Sequence, residues 1–463
     1  MPGVESCESA RFGAVASAMA FLDMSVRTPS PMAATRESRT LGALTGARFF
    51  AAFAVVLAHY APRQKLPPMV AAAVAAGPVA VSFFYVLSGA VLTWGCTNPS
   101  GSPARPTRVF WLQRAARIAP AYFLALLASL PYFVTSVLQR YPGVPGVTRC
   151  AASILANLML VQAFIPPVAV GLNTPGWSIS CEGFFYLAWA KAVGWLRHDV
   201  PGFPLRRCLT LSIPSLLLPM LGTIALSRGW LPAGPFPTVR RDVSGGELLQ
   251  RTLAFWPPLR MSEFAMGIVL GHALRVTPQR EQTLATLPAR VSARNTSLEA
   301  VLIVAIVGAT CALGGGLPSR ITGVPLATQL FVESGVLAPL FALLIWQLAR
   351  GQGLLQRFLS LGPVIVLGEA SYALYICQEP VLQWFSSILR HSAPQLAFNW
   401  GEPQGGDGWA IAFPAYALVL VASSVIIHRA VELPARAWLL ARWLASSKPK
   451  TDRAIGQWLS SKP

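Results

Sequence analysis

Eleven apolar runs of membrane-spanning length dominate this chain and leave few folds open to it. They fall at 41–60, 76–96, 112–133, 151–170, 177–196, 207–227, 253–273, 300–316, 330–349, 364–386 and 409–427. A bilayer core about 30 Å thick is crossed by roughly 20 residues of α-helix. Within hydrocarbon a helix satisfies its own backbone, so Gly and Pro inside several runs are tolerated. The expectation is an all-α, polytopic membrane protein. With 54% hydrophobic and 12% charged residues, the chain has about half the charge of a soluble globular protein. That excludes a soluble enzyme, a disordered protein and a secreted disulfide scaffold. The cysteines Cys7, Cys96, Cys150, Cys181, Cys208, Cys311 and Cys377 are scattered, with no CxxC spacing. Neither a disulfide framework nor a metal site is expected, and most of them read as small apolar fillers.

Charge decides how the runs are threaded. Lys and Arg number 37 against 18 Asp and Glu, giving a net charge of +19. No zinc-ligand spacing and no basic helix with interleaved aromatics accompanies this basicity, so nucleic acid is not an expected partner. The positive-inside rule accounts for it instead. If all eleven runs cross with the N-terminus inside, the basic turn at 191–207 and the basic loop at 275–294 fall outside. If 151–170 does not cross, most of the Lys and Arg fall on the cytoplasmic side. The broken ending Ile165-Pro166-Pro167 suits a re-entrant or surface-lying segment there. About ten transmembrane helices with both termini cytoplasmic is the topology that follows. Residues 1–40 read as a disordered tail, or as sequence upstream of a start at Met24 or Met32. Residues 41–436 form the membrane domain, and 437–463 a basic cytoplasmic tail. No fixed-period repeat is visible.

Ionisable residues inside spans mark functional sites, because each is costly unless it is paired or faces a cavity. Arg48 and His59 lie eleven positions apart in the first run, close to three helical turns, so they share a face about 16 Å apart. Ser88 and Gly89 in the second run fit close helix packing as well as a site. Arg114 and Arg117 share a face at the cytoplasmic mouth of the third run, as topology anchors or as a clamp for phosphates. In the run after Pro175-Gly176, Trp177 sits at the interface, and Ser178 and Glu182 share a face. Glu182 lies toward the outer end, as His59 does, so the two are expected to meet in one outward-facing cavity. A helix-start carboxylate favoured by the macrodipole is the plainer reading of Glu182. Arg260 and Glu263, three apart, bind substrate or only neutralise each other. Glu333, near a span end, is a lone acid. His198, His272, His391 and His428 read as interfacial or solvated.

The ordered set of motifs resembles acyltransferase family 3, the integral-membrane O-acyltransferases of bacterial envelope polysaccharides and other acceptors. Arg48 with His59 resembles the family's first-helix motif, and Phe83-Phe84-Tyr85-Val86-Leu87-Ser88-Gly89 its second-helix pattern. Arg114-Ala-Ala-Arg117-Ile118-Ala-Pro120 resembles the paired-arginine motif. Trp177-Ser178-Ile179-Ser180-Cys181-Glu182 with Phe185-Tyr186 resembles the Trp-Ser-Leu-Ser-x-Glu block. Gly368-Glu369-Ala370-Ser371-Tyr372 with Leu374-Tyr375, and Glu432-Leu433-Pro434, resemble the two late blocks. The likeness runs from about Leu41 to Arg436. One departure stands out: where the family commonly has a histidine after the late Tyr pair, this chain has Gln378, next to Glu379.

The resemblance implies transfer of an acyl group, most often acetyl, from acyl-CoA as co-substrate to a hydroxyl of a carbohydrate, lipid-linked glycan or other envelope acceptor. It implies a multi-pass protein of the bacterial inner membrane, with no resident cofactor. In this reading His59 is general base and Glu182 orients it. Arg114 and Arg117 hold CoA phosphates. Arg48 or the Ser88-Gly89 region stabilises the thioester oxyanion, and Trp177, Ser178, Arg260 and Glu263 contribute to substrate binding. No soluble esterase-like domain is expected after the last helix. A secondary transporter or flippase is the alternative, since many spans and intramembrane charges suit that too.

Overall fold

The computed structural model describes residues 31–98, 103–104, 106–193, 203–231, 235–276, 292–394 and 408–445, with side chains from residue 42. It is a bundle of helices. Pro31–Tyr60 forms α1, and Pro68–Ala75 forms α2, a short helix that runs by a 3-10 turn into α3, Ala80–Cys96. The long α4 spans Thr107–Arg140 and keeps Pro120 and Pro131 inside it. Then come α5, Val144–Leu158, α6, Gly176–Ala192, and α7, Leu205–Ser227. A two-residue-per-strand hairpin follows, β1 Phe236–Pro237 antiparallel to β2 Asp242–Val243. Next are α8, Gly245–Phe255, α9, Pro257–Val276, α10, Ala293–Gly314, and the short α11, Leu317–Thr322. The last third comprises α12, Ala327–Glu333, α13, Ala338–Arg350, α14, Leu354–Leu359, α15, Gly362–Glu369, and α16, Ser371–Ser392. It closes with α17, Trp409–Ile427, which passes through a π-helical turn at His428–Glu432 into α18, Leu433–Ala445.

Among the described residues, seven stretches are long and apolar enough to cross a bilayer: Gly42–Tyr60, Pro68–Cys96, Thr107–Arg140, Leu205–Ser227, Ala293–Gly314, Ala327–Arg350 and Trp409–Trp443. Three of the expected spans are absent from that set. They are helices all the same: α6, α9 and the α15–α16 pair. These are the ones that carry Glu182, Arg260 with Glu263, and Gln378 with Glu379, and α6, at 17 residues, is also short for a span. The chain is thus a multi-pass, predominantly helical membrane protein. The 151–170 run is broken: α5 ends at Leu158, and a 3-10 turn at Gln162–Phe164 leads into turns. Residues 1–30 and 446–463 of the expected tails lie outside the described residues, as do most of the loops at 194–202, 277–291 and 395–407. Residues 31–40 and 437–445, read from sequence as tail, belong to α1 and α18.

The centre of the bundle is set by how closely α3 and α9 pack. A methyl at Gly267 or Gly271 would run into the carbonyls of Val86 or Ala90, and one at Gly89 into that of Phe264. Small residues thus let two backbones touch, the usual membrane solution when no hydrophobic effect drives helices together. Around this seam aromatic rings fill the core. Phe185 stacks on Phe264 at 4.9 Å and Phe110 on Trp189 at 4.5 Å. By contrast α10 buries only Glu299 among its residues and leaves Val301, Val304 and Val307 exposed, an apolar face fit for lipid.

Candidate active site

Five helices line a cavity of about 110 Å³ that opens to the outside of the bundle. α1 supplies Arg48, α3 supplies Ser88, α4 supplies Arg114 and Arg117, α6 supplies Ser178, Glu182 and Tyr186, and α16 supplies Ser371, Tyr372 and Tyr375. The helical spacings read from sequence explain the convergence. Arg114 and Arg117 lie three apart on α4, and Ser178, Glu182 and Tyr186 lie four apart on α6, so each set shares one face. Glu182 is held from two sides. Ser88 Oγ donates to its Oε1 at 2.9 Å, and the Tyr186 hydroxyl donates to the same oxygen. Arg48 lies within electrostatic reach of Arg114, Arg117, Glu182 and Tyr186. From α18, Arg436 lies within the same reach of Arg114 and Arg117, with Glu432 beside it. Three arginines against one glutamate line the cavity, and Arg114 Nε is buried there without a protein partner. That excess of cationic donors suits an anionic ligand.

His59 stands elsewhere. It is absent from the cavity lining and lies three turns further along α1, exposed at the helix end. Its Nδ1 is 3.1 Å from Oε1 of Gln378 on α16. The Gln378 Nε2 donates to the Tyr375 carbonyl at 2.7 Å, and Tyr375 lines the cavity, so α16 connects the two places. Beyond His59 the adjoining loops are strapped down. Glu379 accepts from Arg240 at 2.6 Å and from the Thr174 backbone at 2.5 Å. Arg240 also donates to the Gly171 carbonyl at 2.8 Å, and Asn173 Nδ2 to that of Ile376 at 3.0 Å. The hairpin between α7 and α8 thereby clamps the 167–174 segment against α16.

The expected meeting of Glu182 and His59 does not occur. Three turns of α1 separate Arg48 from His59, and α6 brings Glu182 to the Arg48 level, where Ser88, Tyr186 and the arginines occupy it. Gln378 is the side chain at the imidazole. Gly89 faces the α9 backbone, not the cavity. Trp177 packs on Phe255, ring centres 4.6 Å apart, and also lies off the cavity. Arg260 and Glu263, 2% and 0% exposed, form a 3.0 Å pair, with Arg260 also 3.3 Å from Ser82 Oγ and 5.4 Å from the centre of the Tyr85 ring. They weld α9 to α3 behind the cavity wall that Tyr85 forms. Glu333 accepts from Gln250 at 2.7 Å and has no place in the cavity. His428 pairs with Glu432 at 2.7 Å in the π-helical turn. Tyr186, Tyr372, Tyr375, Arg436, Arg240 and Glu379 join the site or its rim without having been singled out for a role. For Tyr186 the signal was present, since it lies one turn from Glu182 on the same face.

Seven apolar spans and an arginine-lined cavity between helices define a multi-pass membrane protein with a charged cavity inside its bundle. The acyltransferase domain family Acyl_transf_3 matches residues 41–429, and the chain belongs to that family. It is also similar to acyltransferase MdmB of Streptomyces mycarofaciens, at 28% identity over 430 residues that cover 89% of this chain and 97% of that protein. No solved structure matches. The chain is therefore a membrane acyltransferase, and the transporter alternative falls away. Among the described residues no group of three or more His, Cys, Asp or Glu is placed to hold a metal ion.

Proposed function

We propose that this protein is an O-acyltransferase of the plasma membrane that moves an acyl group, acetyl in the simplest case, from acyl-CoA to a hydroxyl of a carbohydrate or other envelope acceptor. The observation that carries the reading is the arrangement along α1: an arginine-rich cavity at Arg48 and an exposed imidazole at His59, about 16 Å further along the axis. Acyl-CoA has its phosphates at one end and its thioester at the end of a long pantetheine arm. Phosphates held by Arg114 and Arg117, with Arg436 adding to the field, leave the arm to run past Tyr372 and Tyr375 toward His59. The arginine end faces the cytoplasm, where acyl-CoA is, and His59 faces the acceptor side.

The acceptor hydroxyl is a poor nucleophile at neutral pH. His59 takes its proton as the oxygen attacks the thioester carbonyl; the C–S bond then breaks, and the leaving thiolate takes up that proton to give CoA thiol and restore the neutral imidazole. Glu182 acts at the donor end, where it orders Arg48 and the paired arginines, and has no part in orienting His59. Membranes containing the protein should move label from [14C]acetyl-CoA to an acceptor and release CoA thiol. Membranes with equal amounts of His59→Gln protein should do neither. Equal transfer by both, or labelling that does not depend on acetyl-CoA, would overturn the reading.

A further inference from the structure

We infer that Gln378 is the positioning residue that locks His59 in its Nδ1–H tautomer and so presents Nε2 as the proton-accepting atom. The inference rests on the general-base reading of His59 for its consequence, but not for its geometry. An amide has a donor end and an acceptor end, and the surroundings of Gln378 fix which is which. Its side chain is fully buried, 0% exposed, and one end lies 2.7 Å from the carbonyl oxygen of Tyr375. A carbonyl only accepts, so that end is the NH₂. The other end is therefore the oxygen, 3.1 Å from His59 Nδ1. An amide oxygen also only accepts, so Nδ1 must carry the hydrogen. In a neutral imidazole the second nitrogen, Nε2, then holds the free lone pair.

The support for the amide is rigid. Tyr416 of α17 donates to the Gln378 backbone carbonyl at 2.9 Å. The Tyr416 ring meets Tyr60 edge-on at 5.8 Å, and Tyr60 meets the imidazole edge-on at 5.6 Å. Imidazoles are commonly oriented by a carboxylate, and Glu379 is the next residue along. That carboxylate is already occupied by Arg240, Thr174 and Gln383. A neutral amide thus does the orienting while the nearest carboxylate is bound to a cation. The consequence is chemical. A carboxylate partner would stabilise the imidazolium and keep the base protonated to higher pH, whereas glutamine fixes the tautomer without adding charge. The charged and titratable groups facing His59 are Arg63 beyond its own helix, Glu379 with its partner Arg240, and the phenols Tyr60 and Tyr416.

The test reads the ring directly. Full-length protein with 15N-labelled histidine is reconstituted in bilayers, and the His59 signals are assigned by their loss in His59→Gln. At neutral pH the wild-type signals should be those of an Nδ1–H imidazole. Gln378→Leu should shift the population to Nε2–H, and acetyl transfer in membranes should fall by roughly ten- to a hundred-fold. Gln378→Glu keeps an acceptor at the same place and guards against a folding defect in the leucine variant. Its His59 titration midpoint, and the acid limb of its transfer rate, should both move up by about one pH unit. An Nε2–H ring in wild type, or the same tautomer and the same titration in all three proteins, would overturn the inference while leaving the general-base reading intact. Full transfer by His59→Gln would do the reverse: the base reading would fall, and the spectra would still decide what holds the ring.

Discussion

Ser88 and Glu182, ninety-four residues apart in sequence, meet at 2.9 Å and tie α3 to α6 across the floor of the cavity. A serine on a carboxylate invites the thought of an acyl-serine intermediate, but no imidazole lies among the cavity's lining residues to carry the serine proton onward. The pair reads better as a brace that holds the carboxylate amid Arg48, Arg114 and Arg117. Ser88→Ala should therefore keep most of its activity, losing about as much as one neutral hydrogen bond, roughly 0.5–1.5 kcal/mol, would give. Mass spectrometry of protein quenched during turnover should find no acyl group on Ser88. An acetylated Ser88 peptide would make the reaction two-step and would move the nucleophile into the cavity.

Glu182 offers a sharper discrimination. Because Gln378, not Glu182, sits at the imidazole, Glu182→Gln should leave the pH dependence of transfer where it is. It should instead change the dependence on acyl-CoA concentration, since it removes the one lining carboxylate from an arginine-rich cavity. Rate against pH at saturating acetyl-CoA, set beside the apparent KM, separates the two. An acid limb that moves with Glu182→Gln would restore the carboxylate–imidazole partnership.

Arg114 and Arg117 should govern donor use. A charge-assisted hydrogen bond is worth roughly 1.5–3 kcal/mol, so each Arg→Ala change should weaken acetyl-CoA binding by about ten- to a hundred-fold or slightly more. Lys at either place should recover only part, because the planar fork is lost. Equilibrium binding of labelled acetyl-CoA to purified protein is the measurement. Unaltered binding in both alanine variants would make these residues topology anchors and no more.

Much of this organisation was legible because periodicity and charge are local properties. Apolar length gave the helices. Spacing put Ser178 with Glu182, and Arg114 with Arg117, on shared faces, and the Ile165-Pro166-Pro167 break marked the 151–170 run as interrupted, although its helix ends earlier, at Leu158. What failed depended on contacts between helices far apart in sequence. Depth along the membrane placed Glu182 and His59 toward the same side, but depth read from run boundaries is coarse by a turn or more. Only the three-dimensional register shows that Glu182 lies level with Arg48. The same holds for Arg260 and Glu263. Three residues apart, they are a pair in either reading, and it takes the packing of α9 on α3 to show that they face Tyr85 and Ser82. Gln378 was visible only as a departure, since nothing in the sequence joins residue 59 to residue 378.

The Arg260–Glu263 pair should matter for stability more than for chemistry. Both side chains are buried, and removing one partner of such a pair leaves an uncompensated charge at a cost of about 3–5 kcal/mol. Arg260→Met or Glu263→Leu alone should lower thermal stability in detergent markedly, while the double replacement should recover much of it. If the double variant is as unstable as the singles yet binds acetyl-CoA normally, the pair has a role that packing does not explain.

In the proposed mechanism His59 is the base, and its replacement should be the most damaging change that leaves the fold intact. The side chain is exposed at the end of α1, so trimming it opens no core cavity, and His59→Ala should insert and bind acetyl-CoA as the wild type does. General-base catalysis contributes about a hundred- to ten-thousand-fold, and transfer should fall by that factor. His59→Gln should fail as badly, because an amide accepts a hydrogen bond but takes no proton near neutral pH. In the wild type the rate should rise with pH through the imidazole range and level off once Nε2 is free. Product formed from acetyl-CoA at matched protein levels, followed across pH, checks all three expectations. A His59→Gln enzyme with near-normal rate and an unchanged pH profile would mean that another group removes the proton. Glu379, one residue from Gln378 and held by Arg240, would then be the next side chain to test.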